Sequence, residues 1–149
     1  MNATAALTVA QAAVSIELSD TVPTFSSLGD TVTLTATVMD ANNNTIPGAT
    51  VSWITSNSSI ATVSSAGLVT AITNGTATIT ATSGAASGAA TATVSQVAVS
   101  ITLSPTSLSF ASVDDTTTIV ATVRDAGGSV ISSPTVTWAL SLIHICRCR

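Results

Sequence analysis

The sequence predicts an all-β protein made of tandem antiparallel β-sandwiches, of which the second is incomplete. Two observations lead to this prediction. Apolar residues alternate with threonine in several stretches, and side chains alternate between the two faces of a strand. The same pattern returns after 85 residues, a period too long for a helical or leucine-rich solenoid and long enough for a small domain with its own core. No stretch carries the periodicity of a helix.

The repeat aligns residues 14–54 with residues 99–139 without a gap. Of the 41 aligned pairs, 20 are identical, and Trp53, for example, falls on Trp138. A fixed period of this kind indicates copies of one unit placed end to end. The first copy is therefore expected to contain a full set of strands, and the second copy only part of one.

The same register divides the chain into four parts. Residues 13–98 are expected to form one complete domain, and residues 99–139 the amino-terminal half of a second domain. Residues 1–12 match the end of the complete copy, so we expect them to be the last strand of a preceding, truncated repeat. Residues 140–149 leave the register, and their letters resemble a translated sequencing-adapter sequence, which favours a non-native tail.

Short strands and turns follow one another through the complete copy at roughly 8–12-residue spacing, which is typical of an antiparallel sandwich. The alternation over residues 31–38 predicts one strand with apolar side chains inside and threonines in water. Loops are expected at residues 40–48 and 83–88. The hairpin-type dipeptide Asn74-Gly75 predicts a tight turn. The expected strands cover residues 14–18, 31–38, 51–53, 60–63, 68–72, 76–82 and 90–94.

Charged residues are few and mostly acidic. The chain has seven Asp and Glu residues against three Lys and Arg residues, for a formal net charge of −4. Without the suspected tail, Arg124 is the remaining base and the net charge becomes −6. This balance argues against nucleic-acid binding, which needs a basic surface. No run of 18 apolar residues occurs, so we expect no membrane insertion, and both cysteines lie in the tail, so we expect no disulfide.

The second half of the complete copy resembles a known family. The resemblance rests on three motifs that are similar to the group 2 bacterial immunoglobulin-like domain. They are Trp53-x-Thr55-Ser56-Asn57-x-x-Ile60-Ala61-Thr62-Val63, Gly67-Leu68-Val69-Thr70-Ala71 and Gly75-Thr76-Ala77-Thr78-Ile79-Thr80-Ala81. The front half fits this family and its invasin-like relatives. The resemblance implies an immunoglobulin-like sandwich that serves as a spacer or adhesive module in a secreted, cell-surface or phage protein.

No catalytic arrangement is expected. The only histidine, His144, lies in the tail, so no serine of the repeats has an imidazole to activate it. Asp114 and Asp115 are adjacent, but the second copy alone carries the pair. Cys146-x-Cys148 beside the histidine lacks a fourth zinc ligand. We therefore predict a non-enzymatic chain with no catalytic residue, no cofactor site and no metal site.

Three aspartates leave one alternative open. Asp20, Asp40 and Asp125 stand at strand ends or in loops, where calcium could collect carboxylates and backbone carbonyls. The densest such stretch is Asp40 with the asparagines at 42–44. The competing interpretation, which we favour, is a solvated turn in which the aspartate caps backbone N–H groups.

The aromatic residues pair by the repeat, Phe25 with Phe110 and Trp53 with Trp138. We predict all of them to be core residues, because each tryptophan is in phase with an inward-facing valine. The alternative is a tryptophan that stacks on a sugar, but the chain has no tyrosine and no other aromatic residue to complete such a platform.

The favoured function is a non-enzymatic spacer or stalk repeat of a bacterial cell-surface or secreted protein, or of a phage structural protein. Its expected partners are neighbouring repeats of the same chain, and its expected location is extracellular or at the cell surface. Two alternatives are an adhesin module that binds a host or matrix ligand and an accessory domain of an extracellular hydrolase. Because the second copy lacks counterparts of residues 55–98, we expect its strands to lack partners and its inner face to be uncovered.

Overall fold

The computed structural model describes residues 11–140, and the regular elements of this part are all strands. The expectations for a preceding strand and for a foreign tail fall largely outside the described residues, and the division into four parts stays a prediction. The strands are β1 (Ser15–Leu18), β2 (Thr24–Phe25), β3 (Thr31–Thr33), β4 (Ala36–Met39), β5 (Ser52–Thr55), β6 (Ala61–Val63), β7 (Leu68–Ala71), β8 (Gly75–Ser83), β9 (Ala86–Val94), β10 (Ser100–Ser104) and β11 (Val120–Arg124).

Two sheets of the first repeat enclose its core. One sheet has the strand order β2-β9-β8-β5 and the other has the order β3-β7-β6. Val69 of β7 and Ile79 of β8 are both 0% exposed, and Phe25 of β2 is 5% exposed, so the apolar faces of the two sheets pack together. Burial of each such side chain stabilises the fold by roughly 1.5–3 kcal/mol. This arrangement confirms the predicted all-β sandwich.

The alternation of threonine with apolar residues sets which face of each strand is buried. In β8, Ala77 and Ile79 are buried while Thr76 and Thr78 are exposed. On the neighbouring strand β9, Ala90 lies opposite Ile79. The small alanine leaves room for the larger side chain beside it, and the branched threonines suit the solvated face.

The single strand predicted over residues 31–38 is wrong, because the chain changes sheets at its middle. Strand β3 pairs with β7, whereas β4 pairs with β1 in a separate two-stranded sheet. Between them, the Leu34 amide donates to the Gly67 carbonyl at 2.9 Å and the Thr35 amide donates to Ser19 Oγ at 3.0 Å. The inward phase nevertheless continues across the break, since Leu34 and Val38 are both buried.

Two connections also differ from the prediction. The expected loop at residues 83–88 is a two-residue turn, Gly84-Ala85, that joins β8 directly to β9. Gly84 has φ +58°, in the left-handed region that glycine enters at no steric cost. Asn74-Gly75 is a tight connection but not a hairpin, because β7 and β8 lie in different sheets.

One strand pair of the sandwich is parallel. Strand β2 runs parallel to β9, with Thr24 opposite Thr93 and Phe25 opposite Val94. The prediction of an antiparallel sandwich therefore holds for the other pairs that the structure describes, from β1-β4 to β10-β11, and not for this short edge strand.

The second repeat contributes one antiparallel pair. Strand β10 pairs with β11, so the expectation that these segments would lack strand partners is wrong for them. Their register repeats that of β1 with β4, because Ile101 lies opposite Val123 as Ile16 lies opposite Val38. Residues 135–138 align with residues 50–53, which include the expected strand at 51–53, but they have no regular structure.

The inner face of the second repeat is largely uncovered. Phe110 is 54% exposed and Trp138 is 57% exposed, so the prediction that both are core residues is wrong. Ile101 and Leu103 of β10 are exposed as well, whereas Val123 of β11 is buried. Alternation defines an apolar face, but a face is buried only where a second layer packs against it.

Candidate functional site

The linker between the repeats is hydrogen-bonded to the first domain. The Val97 amide donates to the Ser26 carbonyl at 2.9 Å, and the Gln96 amide donates to Asn74 Oδ1 at 2.8 Å. The same asparagine returns a bond from Nδ2 to Gln96 Oε1 at 3.1 Å. By Val99 the backbone already donates to strand β11 of the second repeat, so the crossing from one repeat to the next is short.

Asp125 closes the turn that follows β11. Its Oδ1 accepts the Ser129 amide at 2.8 Å, and its own amide donates to the Ser129 carbonyl at 3.0 Å. The Gly128 amide donates back to the Asp125 carbonyl at 3.1 Å. An aspartate that caps its own turn is ordinary in a loop. The side chain of this one, however, is only 3% exposed.

The second carboxylate oxygen of Asp125 spans the two repeats. Oδ2 accepts the backbone amide of Leu28 at 3.0 Å and the side-chain amide Nε2 of Gln96 at 2.8 Å. Both donors belong to the first repeat or its linker. The backbones are also close, because a Cβ placed on Gly127 would lie 3.2 Å from the Leu28 carbonyl oxygen. We call Asp125, Gln96 and the loop of residues 27–30 the junction.

The donors of the junction favour the ionised form of the carboxyl group. The hydrogen bond from Gln96 lowers the pKa of Asp125, and the backbone amides of Leu28, Ser129 and Gly127 lower it further. Desolvation acts in the opposite direction but does not prevail, so the net change in pKa is downward. A carboxylate removed from water in this way has its charge stabilised by hydrogen bonds rather than by a cation.

Asp40 occupies the equivalent position in the first repeat. Its Oδ1 accepts the amides of Asn42 and Asn44, both at 2.9 Å, and its Oδ2 accepts Gln11 Nε2 at 3.1 Å. The bond from the Asn44 amide is the main cause of the lowered pKa of Asp40, against an opposing desolvation effect. The favoured interpretation of a turn whose aspartate caps backbone N–H groups therefore describes Asp40. It misses the contact that Asp125 makes across the junction.

A family comparison identifies the domain of the first repeat. The family profile described as "Bacterial Ig-like domain (group 2)" matches residues 12–94, which is more than half of the chain. The chain belongs to the bacterial Ig-like domain (group 2) family. The resemblance inferred from the motifs at residues 53–81 is thereby confirmed, and with it the immunoglobulin-like fold. A search of the curated proteins found no significant match.

Solved structures of surface-layer proteins share this Ig-like fold. The chain is similar to domains 4 and 5 of the S-layer protein SbsC, with 23% identity and a TM-score of 0.51 over 58% of this chain and 54% of that one. It is also similar to SbsC domains 1–6, with 17% identity and a TM-score of 0.54 over 85% of this chain and 18% of that one. The chain thus spans about half of the first structure and under a fifth of the second. At these identities the likeness concerns the fold.

The Ig-like chain does not bring the three candidate calcium ligands together. Asp20 Oδ1 accepts the Val22 amide at 2.8 Å, while Asp40 and Asp125 serve different turns 85 residues apart. Among residues 11–140, no three His, Cys, Asp or Glu side chains are grouped as a metal would need. Within the same residues, no helix is long and apolar enough to cross a membrane.

The remaining candidate residues that the structure describes lie in a turn or pack against the core. Asp115 Oδ2 accepts the amides of Ala111 and Ser112 at 3.0 and 2.9 Å, so the adjacent pair Asp114-Asp115 belongs to a turn. Trp53 is half-buried against the Ig-like core, and a Cβ on Gly67 would lie 3.1 Å from its ring. Trp53 also lines a shallow depression of about 340 Å³. His144, Cys146 and Cys148 lie outside the described residues.

Proposed function

We propose that the chain is a non-enzymatic spacer, a stalk repeat of a bacterial cell-surface or secreted protein or of a phage structural protein. In this role each Ig-like domain holds the next one at a set distance and orientation. The observation that carries the proposal is the junction, where the side chain of Asp125 is buried between consecutive repeats and bonds to both.

The form of the junction supports a mechanical role. A flexible linker would leave its backbone groups to water, whereas here Gln96 and Val97 bond to the first domain on one side and Val99 enters the second repeat on the other. Inter-domain motion is the default where contacts are few. The network of hydrogen bonds around Asp125 opposes that motion, which suits a part whose function is to keep its neighbours apart.

The surface of the first domain supports the same proposal. Threonines cover the outer face of β8, and the net charge of the whole sequence is −4. A net charge away from zero favours solubility and discourages association between neighbouring stalks. The similar structures come from an S-layer protein with several domains, which supports a place in a surface assembly.

A display experiment tests the spacer. The chain is inserted between a membrane anchor and an epitope on a bacterial surface, in one or several copies, and antibody access to the epitope is measured. We expect access to rise with the number of copies and to be unchanged when the exposed loop residues Ser58 and Ser59 are replaced by alanine.

The two alternatives give different results in that experiment. An adhesin module would make the cells bind a matrix or glycan surface in a way that loop substitutions abolish. An accessory domain of a hydrolase would raise binding to a polymeric substrate, with the half-buried Trp53 as the first residue to test. Access that is independent of copy number, together with either kind of binding, would overturn the spacer.

A further inference from the structure

The junction is built from parts that recur in both repeats. Gln96 Nε2 reaches Asp125 Oδ2 at 2.8 Å, and Gln11 Nε2 reaches Asp40 Oδ2 at 3.1 Å, each across 29 positions of sequence. Each glutamine lies just before the first strand of a repeat, and each aspartate follows the strand that pairs with it. The glutamine–aspartate pair therefore recurs at the 85-residue period.

The turn that presents the aspartate recurs with different letters. In both copies the amide four residues later donates to Oδ1, at 2.9 Å from Asn44 and at 2.8 Å from Ser129. The reverse bonds, from the amides of Asp40 and Asp125 to the same two residues, measure 2.9 and 3.0 Å. The turn is thus kept although asparagines in one copy replace glycines and serine in the other.

The loop that receives the aspartate recurs as well. In the first repeat the Ser27 amide donates to Asp30 Oδ2 at 3.0 Å, and in the second the Ser112 amide donates to Asp115 Oδ2 at 2.9 Å. The residue before each aspartate has a positive φ, +83° at Gly29 and +70° at Asp114. Aspartate enters this region at a steric cost that glycine avoids, so the second copy holds the receiving shape without the residue that favours it.

The two receiving loops differ in what covers them. The Leu28 amide bonds to Asp125, and the Leu28 side chain is half-buried. Val113 stands at the same place in the second loop and is 91% exposed. The two aspartates differ in the same way, since Asp125 is buried and Asp40 is partly exposed. Asp125 and the loop at Leu28 thus form a complete contact. Asp40 has the aspartate of such a contact without the loop, and Val113 belongs to the loop without the aspartate.

We propose that the aspartate turn and the receiving loop form a head-to-tail docking surface whose partner is another copy of this domain. Asp40 takes the loop of a preceding copy, and the loop at residues 112–115 takes the aspartate turn of a following copy. This inference deepens the proposed spacer function and rests on it. Head-to-tail contacts between like units extend into open arrays wherever the rotation between units does not close a ring.

The first test uses the whole chain and the variant Asp125→Asn, which keeps the size of the side chain and removes its charge. We expect amide hydrogen exchange at Leu28 to accelerate about tenfold or more, because the amide loses a charged acceptor. Residual dipolar couplings should require one alignment tensor for the wild-type chain and two for the variant. Unchanged exchange at Ile79 shows that the first domain remains folded.

Asp40→Asn is the matched control, since it makes the same chemical change in the same kind of turn. It should leave the exchange of Leu28 and the common alignment tensor as in the wild type. Normal exchange of Leu28 and a single tensor in Asp125→Asn would overturn the proposal.

A second test determines whether another copy of the domain is the partner. A further copy of residues 14–98 is inserted before residue 14, and Asp40→Asn is then expected to accelerate exchange of the Leu28 counterpart in the added copy. No change at that amide would overturn the docking of a preceding copy. A flexible stalk would fail both tests and still space its epitope in the display experiment, so the two proposals fail separately.

Discussion

The two repeats have closely related sequences but lie in different surroundings. Phe25 is 5% exposed and its counterpart Phe110 is 54% exposed, although both occupy the same position of the repeat. Val38 and Val123 are both buried, each in a strand with the same register. The difference teaches that local pairing of the first and fourth strands needs only the front half of a repeat. A hydrophobic core needs the opposing sheet.

The largest expected contrast is at the phenylalanines. Phe25→Ala should destabilise the first repeat by about 3–5 kcal/mol, because it leaves a cavity between two packed sheets. Phe110→Ala should change the free energy of unfolding by no more than about 0.5 kcal/mol, as for other exposed positions. Denaturant unfolding followed by Trp53 fluorescence, in a Trp138→Phe background that removes the second tryptophan, measures both. Equal losses would mean that the second repeat has a core of its own.

The tryptophans should show the same contrast at a smaller scale. Trp53→Ala is expected to destabilise the first repeat by about 2–3 kcal/mol, less than a fully buried ring, because Trp53 is only half-buried and lines the shallow depression. Trp138→Ala should have almost no effect on unfolding. A loss below about 1 kcal/mol at Trp53 would place that ring on the surface and favour the sugar-stacking alternative.

Hydrogen exchange sharpens the comparison along the backbone. Amides of β8 and β9 should exchange only on global unfolding, because each strand has a hydrogen-bonded neighbour on both sides. Amides of β10 and β11 should exchange faster, since this pair forms a two-stranded sheet with one largely exposed face. Equal protection in a verified monomer would contradict the view that the second repeat is incomplete.

Acid should loosen the junction before it unfolds the first domain. The pKa of Asp125 is lowered from its ordinary value of 3.8, so its contribution is complete above that value and is lost as pH falls below it. The Leu28 amide shift, followed by NMR, should report the loss. Asp30 caps the same loop, and Arg124 donates to the Gly128 carbonyl beside Asp125, so Asp30→Asn and Asp125→Asn are the controls. A Leu28 transition that persists in Asp125→Asn belongs to another group.

The smallest expected effect is at Gly127. A Cβ here would lie 3.2 Å from the Leu28 carbonyl oxygen and 3.4 Å from Ser27 Cβ, closer to the oxygen than most such contacts. Gly127→Ala should therefore shift the two repeats slightly and accelerate Leu28 exchange by a factor of about two to five, well short of Asp125→Asn. Gly128→Ala is not a matched control, because its φ of +81° adds backbone strain.

Much of the first repeat follows from local pattern. The alternation of threonine with alanine and isoleucine over residues 76–82 predicts the buried face of β8, which includes Ile79. The change of sheet at Leu34-Thr35 could not be found in this way, since the inward phase runs through it unbroken. Pairing partners such as β7 for β3 lie more than 30 residues away, and alternation does not encode them.

The junction was missed for a related reason. Asp125 has the sequence surroundings of an ordinary turn, and its burial depends on Leu28, 97 residues earlier. One signal was present, because the glutamine and the aspartate both recur at the period of 85. Their meaning becomes visible only when the fold brings them within hydrogen-bonding distance.

The turn after β11 has a consequence for shape at larger scale. An identical joint applied again and again moves each unit by the same rotation and the same translation, which is a screw operation. If every pair of consecutive repeats were joined by the same junction, the repeats would follow a helical path. The pitch of that path would be set by the Asp125 carboxylate, its turn and the loop of residues 27–30. Any residue on the outer face of β8 would then recur along that helix at a constant angle, so a stalk would present its surface in a regular order.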